Sequence, residues 1–125
     1  MAEQPNGKSS PGNETPAASV KKGYQELIAF TPARRERYVQ GLIRGLREQA
    51  IQAGYAITIF ENEFDQAQQD EQIREQIASE ANPSLWIWWP VESAAALDSL
   101  KALYATGIPI LQINQLPTNE ARKYV

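Results

Sequence analysis

Residues 85–90 read Leu-Trp-Ile-Trp-Trp-Pro and form the most apolar stretch of the chain. An apolar run without polar alternation is typical of a strand that is buried on both faces, and such strands lie in the middle of parallel sheets. Pro90 ends the run, because proline has no backbone N–H to donate to a neighbouring strand. The stretch therefore predicts a central strand of a parallel sheet with helices on both sides.

Three other short runs have the composition of strands, at residues 27–30 (LIAF), 55–60 (YAITIF) and 108–113 (IPILQI). Between the runs, apolar residues recur at steps of three and four, which predicts helices. We expect these helices at about 34–53, 65–81 and 93–106. The second helix has a thin apolar stripe (Ile73, Ile77 and Ala81) and should lie on the surface, with Asp65 as its N-cap and Gln68 as the reciprocal partner of that cap.

Four strands that alternate with three helices predict an α/β domain with an open parallel sheet and flanking helices. We expect strand order 2-1-3-4, with the strands that contain Ile28 and Ile87 in the centre. Residues 119–125 resemble the start of a fourth helix, which indicates a truncated domain at 23–125. Residues 1–22 are rich in Pro, Gly, Ser and Asn and are expected to form a disordered leader or tether.

The composition excludes several classes of function. The chain has no Cys and no His, so thiol nucleophiles, thiolate zinc sites and imidazole acid–base catalysis are excluded, and we expect neither catalysis nor a cofactor. A net charge of -3 argues against nucleic acid as a partner. The chain as written contains no apolar run of about 18 residues and no export signal, so we expect no membrane insertion and no signal peptide.

Short motifs at the ends of the predicted elements resemble those of a known family. They are Gly45 within the first helix, Gly54-Tyr55 before the second strand, Pro90-Val91-Glu92-Ser93 after the third strand and Gly107-Ile108-Pro109-Ile110 at the fourth strand. In this spacing, residues 23–117 resemble part of the N-terminal lobe of type I periplasmic binding proteins. These are the sugar-type solute-binding proteins of ABC importers, which are related to the ligand domains of LacI-type repressors.

The resemblance implies a solute-binding component of an ABC-type importer. Such a protein binds a small polar solute, here a sugar or a small anion, without chemistry, and the full-length protein has an ABC permease as its partner. It would lie in the periplasm or be anchored to the cell envelope. The alternative is a ligand-sensing domain of a LacI-type regulator or a two-component sensor. A flavodoxin-like or receiver-like domain is a further alternative, but a receiver needs acidic residues where Thr31-Pro32 and Trp89-Pro90 stand.

Ligands of open α/β sheets bind beyond the carboxyl ends of the strands. The candidate ligand-binding residues there are Arg35, Tyr38, Asn62, Trp89, Asn114 and Gln115. By resemblance, sugar-binding members have two aromatic residues after the first strand and an Asp-Arg pair after the fourth. Here a single aromatic residue, Tyr38, and the neutral pair Asn114-Gln115 occupy those places.

Charged and aromatic residues near the predicted site have alternative interpretations. Arg34, Arg35 and Arg37 are expected in the first turn of a helix, where they either recognise an anion or form a solvated face. The acids at 61, 63 and 65 are expected to be solvated, because their spacing fits no calcium loop and we expect no metal site. Tyr38 either stacks on a ligand ring or fills space. Of the three tryptophans, only Trp89 is expected to reach a ligand.

Overall fold

The computed structural model describes residues 13–14 and 25–125 and contains a five-stranded sheet. The elements are β1 (Asn13–Glu14), β2 (Gln25–Pro32), α1 (Arg37–Gln52), β3 (Tyr55–Asn62), α2 (Gln66–Ala78), β4 (Leu85–Trp88), α3 (Leu97–Ala105) and β5 (Ile110–Gln112). A 3₁₀ turn at Ser93–Ala95 separates β4 from α3. Apart from β1, the predicted leader at 1–22 lies outside the described residues, and it stays a prediction.

The sheet has the order β1-β3-β2-β4-β5. β2 pairs in parallel with β3 along its whole length and, on its other side, with β4, which pairs in parallel with β5. The predicted α/β class and the order 2-1-3-4 of the four parallel strands are therefore confirmed. β1 is antiparallel to β3 and was not predicted, because a two-residue polar strand carries no hydrophobic pattern.

Alternation along the strands divides the core into two layers. Trp86 and Trp88 lie with Ile28 and Phe30 on the face that α2 and α3 cover. Ile87 and Trp89 point to the opposite face, where the buried residues of α1 and β3 complete the second layer. Helices thus cover both faces, as the apolar run at 85–90 predicts. Among the helices that the structure describes, none has the length and apolarity needed to cross a membrane.

Several predicted boundaries were wrong. α1 begins at Arg37 instead of residue 34, because Ala33 and Arg34 are bound to the last two residues of β3. β5 is shorter than predicted, and Ser93 begins a 3₁₀ turn while α3 starts at Leu97. Residues 119–124 form turns in place of the expected helix start.

The N-cap of α2 was predicted correctly, and its reciprocal partner was not. Asp65 accepts a hydrogen bond from the backbone N–H of Ala67. The backbone N–H of Asp65, which Gln68 was predicted to bind, donates instead to Asn62 Oδ1. Gln68 Oε1 accepts from the backbone N–H of Glu63. A side chain from the end of β3 has replaced the local partner that the sequence pattern predicts.

Two glycines of the α1 region provide a matched test of backbone strain. Gly54 follows α1 with φ of 87°, and Gly45 lies within the helix; a Cβ at either position would meet nothing within 4 Å. We expect Gly54→Ala to lower the free energy of unfolding by about 1–2 kcal/mol, because L-residues are strained at positive φ. Gly45→Ala should raise it by about 0.5–1 kcal/mol. Urea denaturation followed by circular dichroism measures both, and changes of the same sign would contradict the argument.

Candidate functional site

The carboxyl ends of β2, β3, β4 and β5 lie at one edge of the sheet, because the four strands are parallel. Backbone hydrogen bonds fix the start of each loop to a neighbouring strand. Ala33 N–H donates to Asn62 O at 2.7 Å, and Trp89 N–H donates to Phe30 O at 3.0 Å. Ile113 N–H donates to Trp88 O at 2.9 Å. The loops after β2, β4 and β5 therefore start at residues whose backbone is hydrogen-bonded to a neighbouring strand.

Three of the six predicted site residues meet at this edge although they come from three separate parts of the chain. The Tyr38 ring, which is 60% exposed, meets the Trp89 indole edge-on with 6.2 Å between the ring centroids. The Tyr38 hydroxyl donates to Asn114 Oδ1 at 2.8 Å. Asn114 adopts φ of 72°, a conformation that asparagine tolerates better than most residues. Tyr38, Trp89 and Asn114 are hereafter called the aromatic edge.

Gln115 joins the loops after β4 and β5. Its Nε2 donates to the carbonyl oxygen of Pro90 at 3.0 Å, and its Oε1 accepts from the hydroxyl of Ser93. Its own carbonyl oxygen accepts from Gln112 Nε2 at 3.1 Å. Gln115 thus ties the segment after β4 to the segment that carries Asn114.

Asn62 is placed differently from the other candidates, because its side chain is completely buried. Its Nδ2 donates to Thr31 O at 3.0 Å, and its Oδ1 accepts from Asp65 N–H at 3.1 Å. In this arrangement Asn62 supports the loop between β3 and α2 from below, and the structure does not bring it to the aromatic edge.

Of the three arginines expected in the first turn of a helix, as an anion site or a solvated face, only Arg37 lies in α1. Arg34 and Arg35 precede α1, so neither lies in its first turn. Arg34 Nη2 lies 2.9 Å from Glu61 Oε2, and the backbone N–H of Arg34 donates to Glu61 Oε1 at 3.1 Å. Arg35 at the rim is paired with Glu63. The charges of Arg34 and Arg35 are therefore balanced by Glu61 at the end of β3 and Glu63 just after it.

The prediction that Glu61 is a solvated acid was wrong. Its side chain is 8% exposed, and the Arg34 guanidinium and backbone N–H both contact its oxygens. Glu63 and Asp65 are exposed, as predicted. Among the residues that the structure describes, no cluster of acidic side chains could hold a metal ion.

Gln66 and Gln69 are buried in α2, and the sequence pattern did not predict them as buried residues. They share a helix face with Ile73, so the buried stripe of α2 follows residues 66, 69 and 73. The helical spacing of these positions was visible in the sequence, but only apolar residues were counted as buried. Gln66 also lines an acidic cavity of about 420 Å³, together with Phe64, Asp65, Ala67, Asp70, Glu92 and Ala95.

Solved structures with a similar fold relate this geometry to known proteins. One is an ABC transporter solute-binding protein from Mycobacterium smegmatis with bound glycerol (TM-score 0.70, 16% identity, 79% of this chain covered). Another is an ABC transporter periplasmic solute-binding protein from Actinobacillus succinogenes with bound D-allose (TM-score 0.65, 19% identity, 79% covered). The chain has the fold of part of an ABC transporter solute-binding protein.

This solute-binding-protein fold agrees with the resemblance that the sequence motifs indicate. The chain spans about a third of the length of each similar structure, 34% and 35%. A scan against protein-family models and a search of curated proteins found no match. At 16% and 19% identity, the similarity establishes the fold and leaves the solute to be argued from the chain's own residues.

Proposed function

We propose that the chain is part of the solute-binding component of an ABC-type importer and binds a small polar molecule at the carboxyl ends of its strands. The observation that carries the proposal is the aromatic edge, where Tyr38, Trp89 and Asn114 meet. An exposed phenol ring offers an apolar face to the C–H groups of a solute. The Asn114 side chain and the Tyr38 hydroxyl offer hydrogen bonds to its polar groups.

The charge balance favours a neutral solute. Arg34 and Arg35, two of the three arginines considered for anion recognition, are paired with Glu61 and Glu63. An anion would have to compete with carboxylates that are already in place. We therefore propose a sugar or related polyol over a small anion; the two similar structures hold glycerol and D-allose.

The two similar structures favour binding for transport over the alternatives. Both are described as ABC transporter solute-binding proteins, which supports a non-enzymatic role and does not favour a LacI-type sensor. The protein from Actinobacillus succinogenes is described as periplasmic. We propose the same surroundings for this chain, either in the periplasm or anchored to the cell envelope, with an ABC permease as the partner of the full-length protein.

Nuclear magnetic resonance (NMR) titration of the ¹⁵N-labelled chain tests the site. We expect D-allose or another compound from a panel of sugars and polyols to shift the amide resonances of Trp89, Asn114 and Gln115. Tyr38→Ala and Asn114→Ala should each weaken the binding roughly fivefold, since a hydrogen bond or ring contact contributes about 1 kcal/mol. Acetate and phosphate should produce smaller shifts at these residues.

Tyr104→Ala is the control, because Tyr104 is also an exposed tyrosine and lies at the far end of α3. It should leave the titration unchanged. Shifts confined to another part of the sheet, or equal affinity of the unaltered chain and the Tyr38→Ala variant, would contradict the site. A response to the anions alone would contradict the choice of a neutral solute.

A further inference from the structure

Two glutamines of α2 bind the backbone of the segment that follows β4. Gln66 Oε1 accepts the backbone N–H groups of Val91 and Glu92, both at 2.9 Å. Gln69 Nε2 donates to the carbonyl oxygen of Trp89 at 2.9 Å. A helix that lies on one face of the sheet thus holds three backbone groups of segment 89–92 through its side chains.

The two glutamines are themselves fixed by neighbouring polar groups. Gln66 Nε2 donates to Gln69 Oε1 at 3.1 Å and to Asp70 Oδ1 at 2.8 Å. The buried indole N–H of Trp88 donates to Gln69 Oε1 at 3.1 Å, and Ser99 Oγ donates to Asp70 Oδ1 at 2.7 Å. Gln69 is fully buried and Gln66 is 7% exposed. A buried network whose polar groups are satisfied holds its members in one arrangement.

Segment 89–92 continues directly into the candidate site. The side chain of Trp89 lies on the opposite face of the sheet from α2, where its ring meets Tyr38. The carbonyl oxygen of Pro90 accepts from Gln115 Nε2. A shift of this segment would move the Trp89 indole and release Gln115 at the same time.

We propose that Gln66 and Gln69 are positioning residues of the solute site. They act through segment 89–92, which they hold in the geometry that turns Trp89 towards Tyr38 and places Pro90 within reach of Gln115. The inference rests on the proposed function for the identity of the site. The geometry it assigns to the segment can be measured without any solute.

Gln66→Met tests the inference, because methionine has a similar length and lacks an oxygen acceptor for the two amides. Trp88 keeps its bond to Gln69 in this variant, so the buried indole is not left without a partner. We expect the amide hydrogens of Val91 and Glu92 to exchange roughly five- to tenfold faster, the effect of losing a hydrogen bond of ordinary strength. The nuclear Overhauser effect (NOE) between the Tyr38 and Trp89 rings should weaken.

Gln76→Met is the matched control on the same helix, since the Gln76 side chain makes no hydrogen bond to any residue in the described part of the chain. It should leave both amides and the ring contact unchanged. A purely structural role would accelerate exchange equally throughout the sheet, including at Ile57 in β3.

Unchanged exchange at Val91 and Glu92 in Gln66→Met would overturn the inference, and so would a uniform acceleration over the whole sheet. Titration with D-allose tests the proposed function separately from the positioning role of the glutamines. If the unaltered chain binds D-allose, Gln66→Met should bind it at least threefold more weakly, as expected for about 0.7 kcal/mol, and equal binding would overturn the inference. If neither D-allose nor the other sugars and polyols shift the aromatic edge, the proposed function fails, and the exchange result still decides whether the glutamines position the segment.

Discussion

Trp86→Ala is expected to lower the free energy of unfolding by about 3–5 kcal/mol, because it removes the largest kind of side chain from a fully buried position. The Trp86 ring packs against Phe30, with 5.9 Å between centroids. Its indole N–H donates to Thr106 Oγ1 at 2.9 Å, which joins β4 to the end of α3. The substitution therefore leaves a cavity and breaks a contact between two elements.

A loss of this size is a large part of the roughly 5–15 kcal/mol that stabilises a typical domain. Urea denaturation followed by circular dichroism measures it, with partial unfolding at room temperature as the extreme outcome. Thr106→Val is the comparison variant, since it keeps the volume and removes the hydroxyl that accepts from the indole N–H and donates to the carbonyl oxygen of Leu103; we expect a loss of about 1–3 kcal/mol. A smaller loss in Trp86→Ala than in Thr106→Val would show that packing around Trp86 contributes little.

The second large effect concerns affinity and rests on the proposed function. A ligand enclosed by a complete site typically has about 70–90% of its surface buried. The aromatic edge and Gln115 form one side of such a site, and the chain spans about a third of the length of the similar structures. We expect the binding free energy of the 125-residue chain to be several kcal/mol less favourable than that of a longer protein with a second lobe. Each 1.4 kcal/mol corresponds to about a tenfold change in the dissociation constant.

The two-lobed protein is made by joining a second lobe to this chain. Its affinity for a sugar is measured by calorimetry, and the affinity of the 125-residue chain for the same sugar is measured by NMR titration. We expect micromolar affinity for the two-lobed protein to become millimolar or weaker for the chain, a change of about a thousandfold or about 4 kcal/mol. In the two-lobed protein, Tyr38→Ala and Asn114→Ala should reduce binding, and Tyr104→Ala should not. Equally tight binding by both proteins would show that the chain holds a complete site.

Local patterns in the sequence determined the element types and the class of fold. Continuous apolar runs at 27–30 and 85–89 predicted the two central strands, and these strands are β2 and β4. Asp65 was predicted as an N-cap and is one. These features could be predicted because each depends on residues only a few positions apart. The order 2-1-3-4 was predicted together with the fold that the motifs resemble, and the four parallel strands have that order.

Partners that are distant in the chain explain most of the wrong predictions. The late start of α1 and the ion pair that balances the charge of Arg34 both depend on Glu61, which lies 27 residues away in sequence. A single sequence gives no measure of which acid will face which base. The turns at 119–124 and the pairing of β1 with β3 likewise follow from no local pattern in the sequence.

The periodicity of the sequence is enough to predict a parallel α/β sheet and the loops at its carboxyl edge, because it identifies the strands, the helices and their connections. The pairing of side chains at that edge depends on tertiary contacts. The tertiary structure brought Tyr38 and Asn114 together across 76 residues of sequence and buried Gln69 against Trp88. Hydrogen bonds and ion pairs act over about 3 Å, and at that scale the folded backbone, rather than the spacing of residue types, selects the partners.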